Sequence, residues 1–74
     1  MKEFFPHITI DPDVQFGKPV IANTRVPVAV VVGHLAAGDT MEEVEREFKL
    51  KREDILAALG YASKLVGEES IIAR

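Results

Sequence analysis

Two short basic segments contain the residues of this sequence with the clearest chemistry. Residues 14–25 contain no acid and include Lys18 and Arg25. Residues 46–52 contain four cations and one glutamate, and the cations are Arg46, Lys49, Lys51 and Arg52. Lys and Arg side chains bind phosphate groups, and the guanidinium plane of Arg can also bind two acceptors on a guanine base. Both segments are therefore candidate contacts to nucleic acid.

The charge of the whole chain limits this interpretation. Nine Lys and Arg residues stand against 12 Asp and Glu residues, for a formal net charge of −3. Such a chain does not coat nucleic acid by bulk electrostatics. Residues 39–45 contain four acids and no base, so the basic segments are local features of an acidic body.

The first basic segment is also rich in residues that fix backbone shape. Pro19 and Pro27 have fixed φ and push the residues before them towards extended conformations, while Asn23 tolerates positive φ. We predict two extended pieces joined by a turn, and we assign a structural role to Gly17, Pro19, Asn23, Thr24 and Arg25. For Arg25 we favour a clamp on backbone carbonyls, or on Asp11 or Asp13, over phosphate contact.

The elements that must position these residues begin with a small β region. His7 to Ile10 alternate polar and apolar side chains as a short strand does, and Asp11-Pro12-Asp13 ends the pattern. Residues 1–27 are thus predicted to form a short β and turn arm. Two or three short strands need apolar support beneath them to be stable.

Residues 28–37 are apolar almost throughout, with Pro27 before them and Gly38 after them. We predict a buried helix, because Gly is common just past a helix end, with a core strand as the alternative. A helix that is apolar on all sides contacts more than one neighbour, which suits a dimer interface.

Two further helices follow. Thr40 and Glu43 have the spacing of a capping box, which predicts a helix from Met41 to near Lys49. A third helix is predicted from the spacing of Ile55, Leu59, Ala62 and Val66, with Gly67 as its end. The helical core would then be residues 28–67, and residues 68–74 would form a C-terminal tail of the same single domain.

The second and third helices match a helix-turn-helix. With Met41 as its first residue, the five apolar positions of the motif are filled by Val44, Phe48, Leu50, Ile55 and Ala58. Glu45 departs from the motif where a small residue is usual, and Lys49 departs where the turn glycine is usual. The alternative is an ordinary helical hairpin.

The start of the third helix would enter a DNA groove in such a motif. We predict that Arg52 reads a base and that Lys49, Lys51 and Arg46 contact phosphates. Glu53 and Asp54 would repel the same DNA backbone. The alternative for these residues is a solvated charged face.

Residues 17–21 (GKPVI) and 24–28 (TRVPV) resemble a bacterial and archaeal family, domain of unknown function 433, and with the similar positions that follow the resemblance covers roughly residues 7–63. The resemblance implies a mainly α fold, with a short N-terminal β region before a three-helix, homeodomain-like helix-turn-helix. The family usually has Gly at Asn23, and Thr or Ser at Lys51. The second difference removes an expected helix N-cap.

Members of this family are regarded as VapB-type, antitoxin-like proteins, so the resemblance implies a partner and a function. The partner would be a PIN-like ribonuclease toxin, and the pair would bind operator DNA for autorepression. We expect the toxin to contact Leu65, Val66, Ile71 and Ile72. Alternatively, Ile71-Ile72 packs on Phe4-Phe5. The alternative function is an interaction or oligomerisation module without DNA binding.

Other kinds of site have little support. The sequence has no Cys, two isolated His residues, and a calcium-like Asp11-x-Asp13 start with Ala22 at the twelfth position, where a Glu ligand belongs. We therefore expect no metal, no cofactor, no catalytic residue and no enzyme. No apolar run is long enough to span a membrane, and no export segment is recognisable, so a cytoplasmic location is expected. A core this small favours a homodimer.

Overall fold

The computed structural model describes the backbone of residues 3–73 and the side chains of residues 5–68. A three-stranded antiparallel sheet in the order β1-β2-β3 packs beside three helices, and the fold is mainly α as predicted. The strands are β1 (Glu3–Phe5), β2 (Ile8–Thr9) and β3 (Val20–Ile21). The helices are α1 (Val28–Ala36), α2 (Met41–Phe48) and α3 (Arg52–Ala73).

The small sheet forms part of the core and is not a separate arm. Ile8 of β2 pairs with Ile21 of β3, and both side chains are fully buried. They share one cluster with Val31 of α1, Val44 of α2 and Ile55 of α3. The helices thus supply the apolar support that two-residue strands lack by themselves.

Helix α1 confirms the choice of helix over strand for residues 28–36, but the prediction that it is buried was wrong. It begins after Pro27, and Gly38 follows its end with φ 105°. Only Val28 and Val31 are buried, whereas Ala29 and Val30 on the same helix are exposed. Helix α1 packs on one side against α2 and α3 and keeps an apolar face towards solvent.

The predicted start of α2 is confirmed in detail. The Thr40 hydroxyl accepts a hydrogen bond from the Glu43 backbone N–H at 3.1 Å, and the Glu43 carboxylate accepts one from the Thr40 N–H at 2.7 Å. This reciprocal pair is the capping box. The helix ends at Phe48, and Lys49 follows it in the left-handed conformation.

Helix α3 is longer than predicted. Its 22 residues continue through Gly67, so the prediction that this glycine ends the helix was wrong. A glycine ends a helix by adopting positive φ, and Gly67 does not do so; inside a helix it costs about 1 kcal/mol relative to Ala. At the other end, Asp54 offsets the absent Thr or Ser at Lys51, because its carboxylate accepts the Lys51 N–H at 3.0 Å.

Candidate functional site

The connection between α2 and α3 has the geometry that the helix-turn-helix pattern requires. Val44, Leu50, Ile55 and Ala58 are buried, and Phe48 packs partly buried against them. Lys49 occupies the turn position where glycine is usual, with φ 56° and ψ 46°. A left-handed residue there reverses the chain after α2 and brings Leu50 into the core.

Arg52, the predicted base reader, is held by two carboxylates of α2. Its Nε donates to Glu45 Oε2 at 3.0 Å, and its Nη2 donates to Glu42 Oε2 at 2.9 Å. We call these three residues the Arg52 clamp. It accounts for Glu45 at a position where the motif usually has a small residue, since the carboxylate reaches out to the start of α3. Base reading by Arg52 stays a prediction, and it requires release from the clamp.

The clamp shifts the acid-base equilibria of its members. A hydrogen bond from its own backbone and then the Arg52 guanidinium lower the pKa of Glu42 below its ordinary value. Glu45 first, and then Glu42, raise the pKa of Arg52, which stays charged throughout. A carboxyl with a lowered folded-state pKa stabilises the fold above its unfolded-state pKa and loses this effect as pH falls through the folded-state value. The clamp therefore weakens in acid.

Lys49 and Lys51 line a polar cleft beside the turn between β3 and α1. The cleft has a volume of about 440 Å³, and its other lining residues are His7, Ala22, Asn23, Thr24, Glu53 and Asp54. His7, Asn23 and Lys49 all have positive φ, a conformation that Asn tolerates but that costs about 1–2 kcal/mol for residues such as His and Lys. The cleft also contains acids, and the His7 Nδ1 lies 3.3 Å from Asp54 Oδ1.

Arg46 lies apart from the polar cleft. It lines a different surface depression together with the acids Asp39, Glu43 and Glu47. The four cations predicted to contact DNA therefore occupy three environments: the polar cleft, the Arg52 clamp and an acidic depression. The structure brings only Lys49 and Lys51 together.

The residues predicted to shape the first basic segment do so mainly through the backbone. Asn23 has φ 64° and Gly17 has φ 81°. The Thr24 hydroxyl donates to the Ile21 carbonyl at 2.7 Å and accepts the Val26 N–H at 3.0 Å. The Pro19 carbonyl accepts the Val28 N–H at 3.0 Å, which ties the segment to the start of α1.

Arg25 acts through its main chain. Its carbonyl accepts a hydrogen bond from Gln15 Nε2 at 3.1 Å. Among the described residues its guanidinium forms no ion pair, neither with Asp11 nor with Asp13. The side-chain clamp that we expected is therefore not part of this structure.

The predicted toxin-contacting residues lie on the far half of α3. Leu65 and Val66 are exposed, at 44% and 59% of their accessible surface. Positions 71 and 72 belong to the same helix, but the side chains of Ile71 and Ile72 lie outside the described residues, as does the side chain of Phe4. Phe5 packs edge-on against Tyr61, with ring centroids 5.6 Å apart.

An apolar groove runs between α1 and α3 and has a volume of about 460 Å³. Small residues of α1 form its floor, Tyr61 and Leu65 of α3 form one wall, and Lys18-Pro19 forms part of the rim. A side chain at Gly33 would meet no atom within 4 Å, so the groove is open above this helix.

A family model described as protein of unknown function (DUF433) matches residues 8–62. The chain belongs to the DUF433 family. Its hallmark residues occupy the β3 segment, the turn after it and the helix-turn-helix, which are the parts of the fold described above. A search of curated proteins gives no match for this chain.

Two solved structures resemble this DUF433 chain. A DUF433 member protein from Anabaena variabilis is 31% identical with a TM-score of 0.77, and the match covers 92% of this chain and 69% of that one. The crystal structure of Rv2018 from Mycobacterium tuberculosis is 33% identical with a TM-score of 0.65, over 70% of this chain. This chain spans only 24% of the Rv2018 chain.

Sequence reasoning missed three features of this DUF433 protein: the apolar groove, the Arg52 clamp and the exposure of Phe16. Each depends on residues that are distant in the sequence. A signal for the groove was present, since Ala29 and Gly33 lie four residues apart on α1 and leave space between helices. For Phe16 we find no signal in the sequence.

Two searches for other sites gave negative results. Among the described side chains, no group of three or more His, Cys, Asp or Glu residues is placed to hold a metal ion. Within residues 3–73, no helix is long and apolar enough to cross a membrane.

Proposed function

We propose that this chain is a cytoplasmic, antitoxin-like regulatory protein that binds a PIN-like ribonuclease through the C-terminal half of α3. The observation that supports this proposal is the length of α3, which extends beyond the core of the domain. Tyr61 is the last buried residue among those described, and every described side chain from Ser63 to Glu68 is exposed. The helix nevertheless continues to Ala73.

A projecting helix of this kind calls for a partner. The residues after Tyr61 extend for about 18 Å at 1.5 Å per residue. A helical segment of this length is marginal in water without tertiary packing. Leu65 and Val66 together expose an apolar surface on it, and an apolar helix face laid into a groove is a common mode of recognition. The resemblance described above supplies the class of partner, a PIN-like ribonuclease.

Val66→Asp tests this proposal, because it places a charge in the exposed apolar surface without disturbing the core. Tagged wild-type and variant chains are expressed at native level in the host, and bound proteins are identified by mass spectrometry and quantified. We expect a stoichiometric PIN-like nuclease on the wild-type chain and at least about tenfold less on the variant, the loss typical of a buried interface residue.

Leu56→Asp is the matched control. Leu56 is another exposed apolar residue of α3, at 54%, in the half that follows the turn. The control should retain the nuclease. Recovery of equal nuclease on Val66→Asp, or of no nuclease on the wild-type chain, would contradict the proposal.

DNA binding is a second candidate function, and the turn geometry favours it. Lys49 is left-handed at the turn of a packed helix-turn-helix, and it shares the polar cleft with Lys51. Neither lysine forms an ion pair within the described residues. Two free cations beside the start of α3 would suit phosphate contact.

Lys49→Ala combined with Lys51→Ala should weaken operator binding and lower the slope of log K against log salt by about two, because two phosphate contacts are lost. Fluorescence anisotropy over a salt series measures this slope. Lys64→Ala, at an exposed position of α3 outside the helix-turn-helix, is the control and should leave the slope unchanged. An unchanged slope in the double variant would contradict phosphate contact by Lys49 and Lys51. If the wild-type chain does not bind DNA at all, the remaining function is that of a protein-interaction module.

A further inference from the structure

Phe16 is the most exposed large apolar side chain of the described residues, at 95% of its accessible surface. Its backbone is left-handed, with φ 58° and ψ 33°, between Gln15 at φ 50° and Gly17 at φ 81°. Three consecutive residues with positive φ are unusual, and an aromatic residue is among the poorer choices for that conformation. The fold thus maintains a strained loop that turns an aromatic ring out to solvent.

The Phe16 loop, residues 11–18, is held by hydrogen bonds at several points. Backbone bonds join Val14 N–H to the Asp11 carbonyl at 2.9 Å, and Gly17 N–H to the Val14 carbonyl at 3.1 Å. The Asp11 carboxylate accepts the Asp13 N–H at 2.9 Å, and Gln15 Nε2 ties the loop to residue 25. A loop fixed in this way loses little conformational entropy when its exposed ring is bound.

The apolar groove is a receptor of suitable chemistry on the same molecule. Its walls include Pro19, Pro27 and Tyr61, and its volume of about 460 Å³ admits a phenyl ring. Lys18 is among the lining residues. Lys64 Nζ lies 5.9 Å from the centroid of the Phe5 ring, which packs on the groove residue Tyr61. Neither lysine forms an ion pair within the described residues.

We propose that two copies of this chain form a symmetric dimer in which Phe16 of each copy enters the apolar groove of the other. The charges are complementary, because Asp11 and Asp13 precede the ring in its loop and Lys18 lines the groove. Phe16 is two residues from Lys18 of its own rim. Because the ring and the groove lie on adjoining surfaces of one chain, two copies can bind each other reciprocally around a two-fold axis. If the two surfaces were far apart, repeated binding would produce open chains.

The exposed face of α1 enlarges this interface. Val30 is 37% exposed there, and Ala29 and Gly33 allow the partner's backbone to approach closely. Two buried phenyl rings, at about 150–250 Å² each, supply a fraction of the roughly 1,200–2,000 Å² that a stable interface buries. The helix face supplies further area. This dimer goes beyond the proposed function. It shares Leu65, which lines the groove, with the proposed nuclease surface, but Val66 does not line the groove and stays available for a different partner.

Phe16→Ala is the first test, because the ring makes little contact within its own chain. Sedimentation equilibrium of the purified wild-type chain should give a dimer. The variant should dissociate at least about 100-fold more readily, since each anchor costs tenfold or more and two are lost per dimer. Leu56→Ala removes an exposed apolar side chain outside the groove and should leave the dimer intact. A wild-type chain that is monomeric at about 100 μM, or a Phe16→Ala dimer of unchanged strength, would overturn the proposal.

Gly33→Leu is the second test, and it acts on the receptor. The added side chain meets open space, Leu is a better helix former than Gly, and the groove is filled from its floor. This variant should also be monomeric. When the two variants are mixed, the Gly33→Leu chain supplies the Phe16 ring and the Phe16→Ala chain supplies the open groove. One of the two contacts is then restored, and a mixed dimer should form. Two monomeric variants that do not associate when mixed would refute the reciprocal arrangement.

The dimer proposal and the proposed function can be contradicted independently of each other. Phe16→Ala should still capture the PIN-like nuclease, and Val66→Asp should still sediment as a dimer. Loss of the nuclease from Phe16→Ala with the dimer intact would assign the ring to the nuclease and overturn the dimer proposal.

Discussion

Ile55→Ala is expected to lower the free energy of unfolding by about 3 kcal/mol, near the middle of the range for large-to-small changes in a core. Ile55 is fully buried at the start of α3. It belongs to the cluster that joins the sheet to all three helices, so the cavity would be bordered by elements that cannot all move inward. Urea denaturation followed by far-ultraviolet circular dichroism measures the change.

The adjacent residue is the control for this prediction. Leu56→Ala removes three carbon atoms, as Ile55→Ala does, but Leu56 is 54% exposed. Its cost should stay within about 0.5 kcal/mol, as is usual for surface positions. Equal losses at the two positions would mean that α3 does not pack on the core in the orientation described.

Thr24→Val and Thr9→Val are expected to change stability in opposite directions, although the chemical change is the same. Thr24→Val should cost about 2 kcal/mol, because it removes the acceptor of the Val26 N–H and leaves that donor without its partner. Thr9 is 4% exposed, and its hydroxyl has no hydrogen-bond partner among the described residues. Replacing that hydroxyl with a methyl group should stabilise the fold by about 1 kcal/mol.

The two variants should differ in unfolding free energy by about 3 kcal/mol in total. This difference tests the prediction better than either change alone, because errors in the unfolded reference state largely cancel. It is read from the urea midpoints of the two variants at equal slope. A cost at Thr9 equal to that at Thr24 would show that the Thr9 hydroxyl has a partner. The test also bears on the family hallmark, since it assigns Thr24 to the shape of the turn and not to contact with a ligand.

The Arg52 clamp affects which cations of this domain are available for the proposed binding of DNA. Exposed ion pairs of this type contribute little to stability, because solvent and salt screen them. Each bidentate contact to a guanine provides about 1–3 kcal/mol of discrimination. Base reading by Arg52 stays a prediction and would require Arg52 to leave Glu42 and Glu45, whereas Lys49 and Lys51 form no ion pair within the described residues.

Much of the fold could be predicted, because many of its determinants are local. The Thr40 and Glu43 side chains form a capping box three residues apart, and the core face of the helix-turn-helix follows from helical spacing. The turn at residues 19–27 follows from the restrictions on proline and from the tolerance of Asn for positive φ. The site was less predictable. DNA contact by its four expected cations stays a prediction, and the neighbours of these cations come from other elements.

By itself, the sequence determined where α1 and α2 start, which face of α2 packs inward, and where the chain turns. These properties depend on hydrogen bonds and side-chain spacings within a few residues. On α3 it placed Ile55 correctly in the core, but Val66, expected on the same face, is exposed. Only the tertiary structure decided that α1 keeps one face exposed, that Arg52 pairs with Glu42 ten residues away, and that α3 passes Gly67. It also decided that Phe16 faces solvent beside an apolar groove. Exposure, cavities and long-range ion pairs depend on which distant segment occupies the space beside a residue, and no local pattern encodes that.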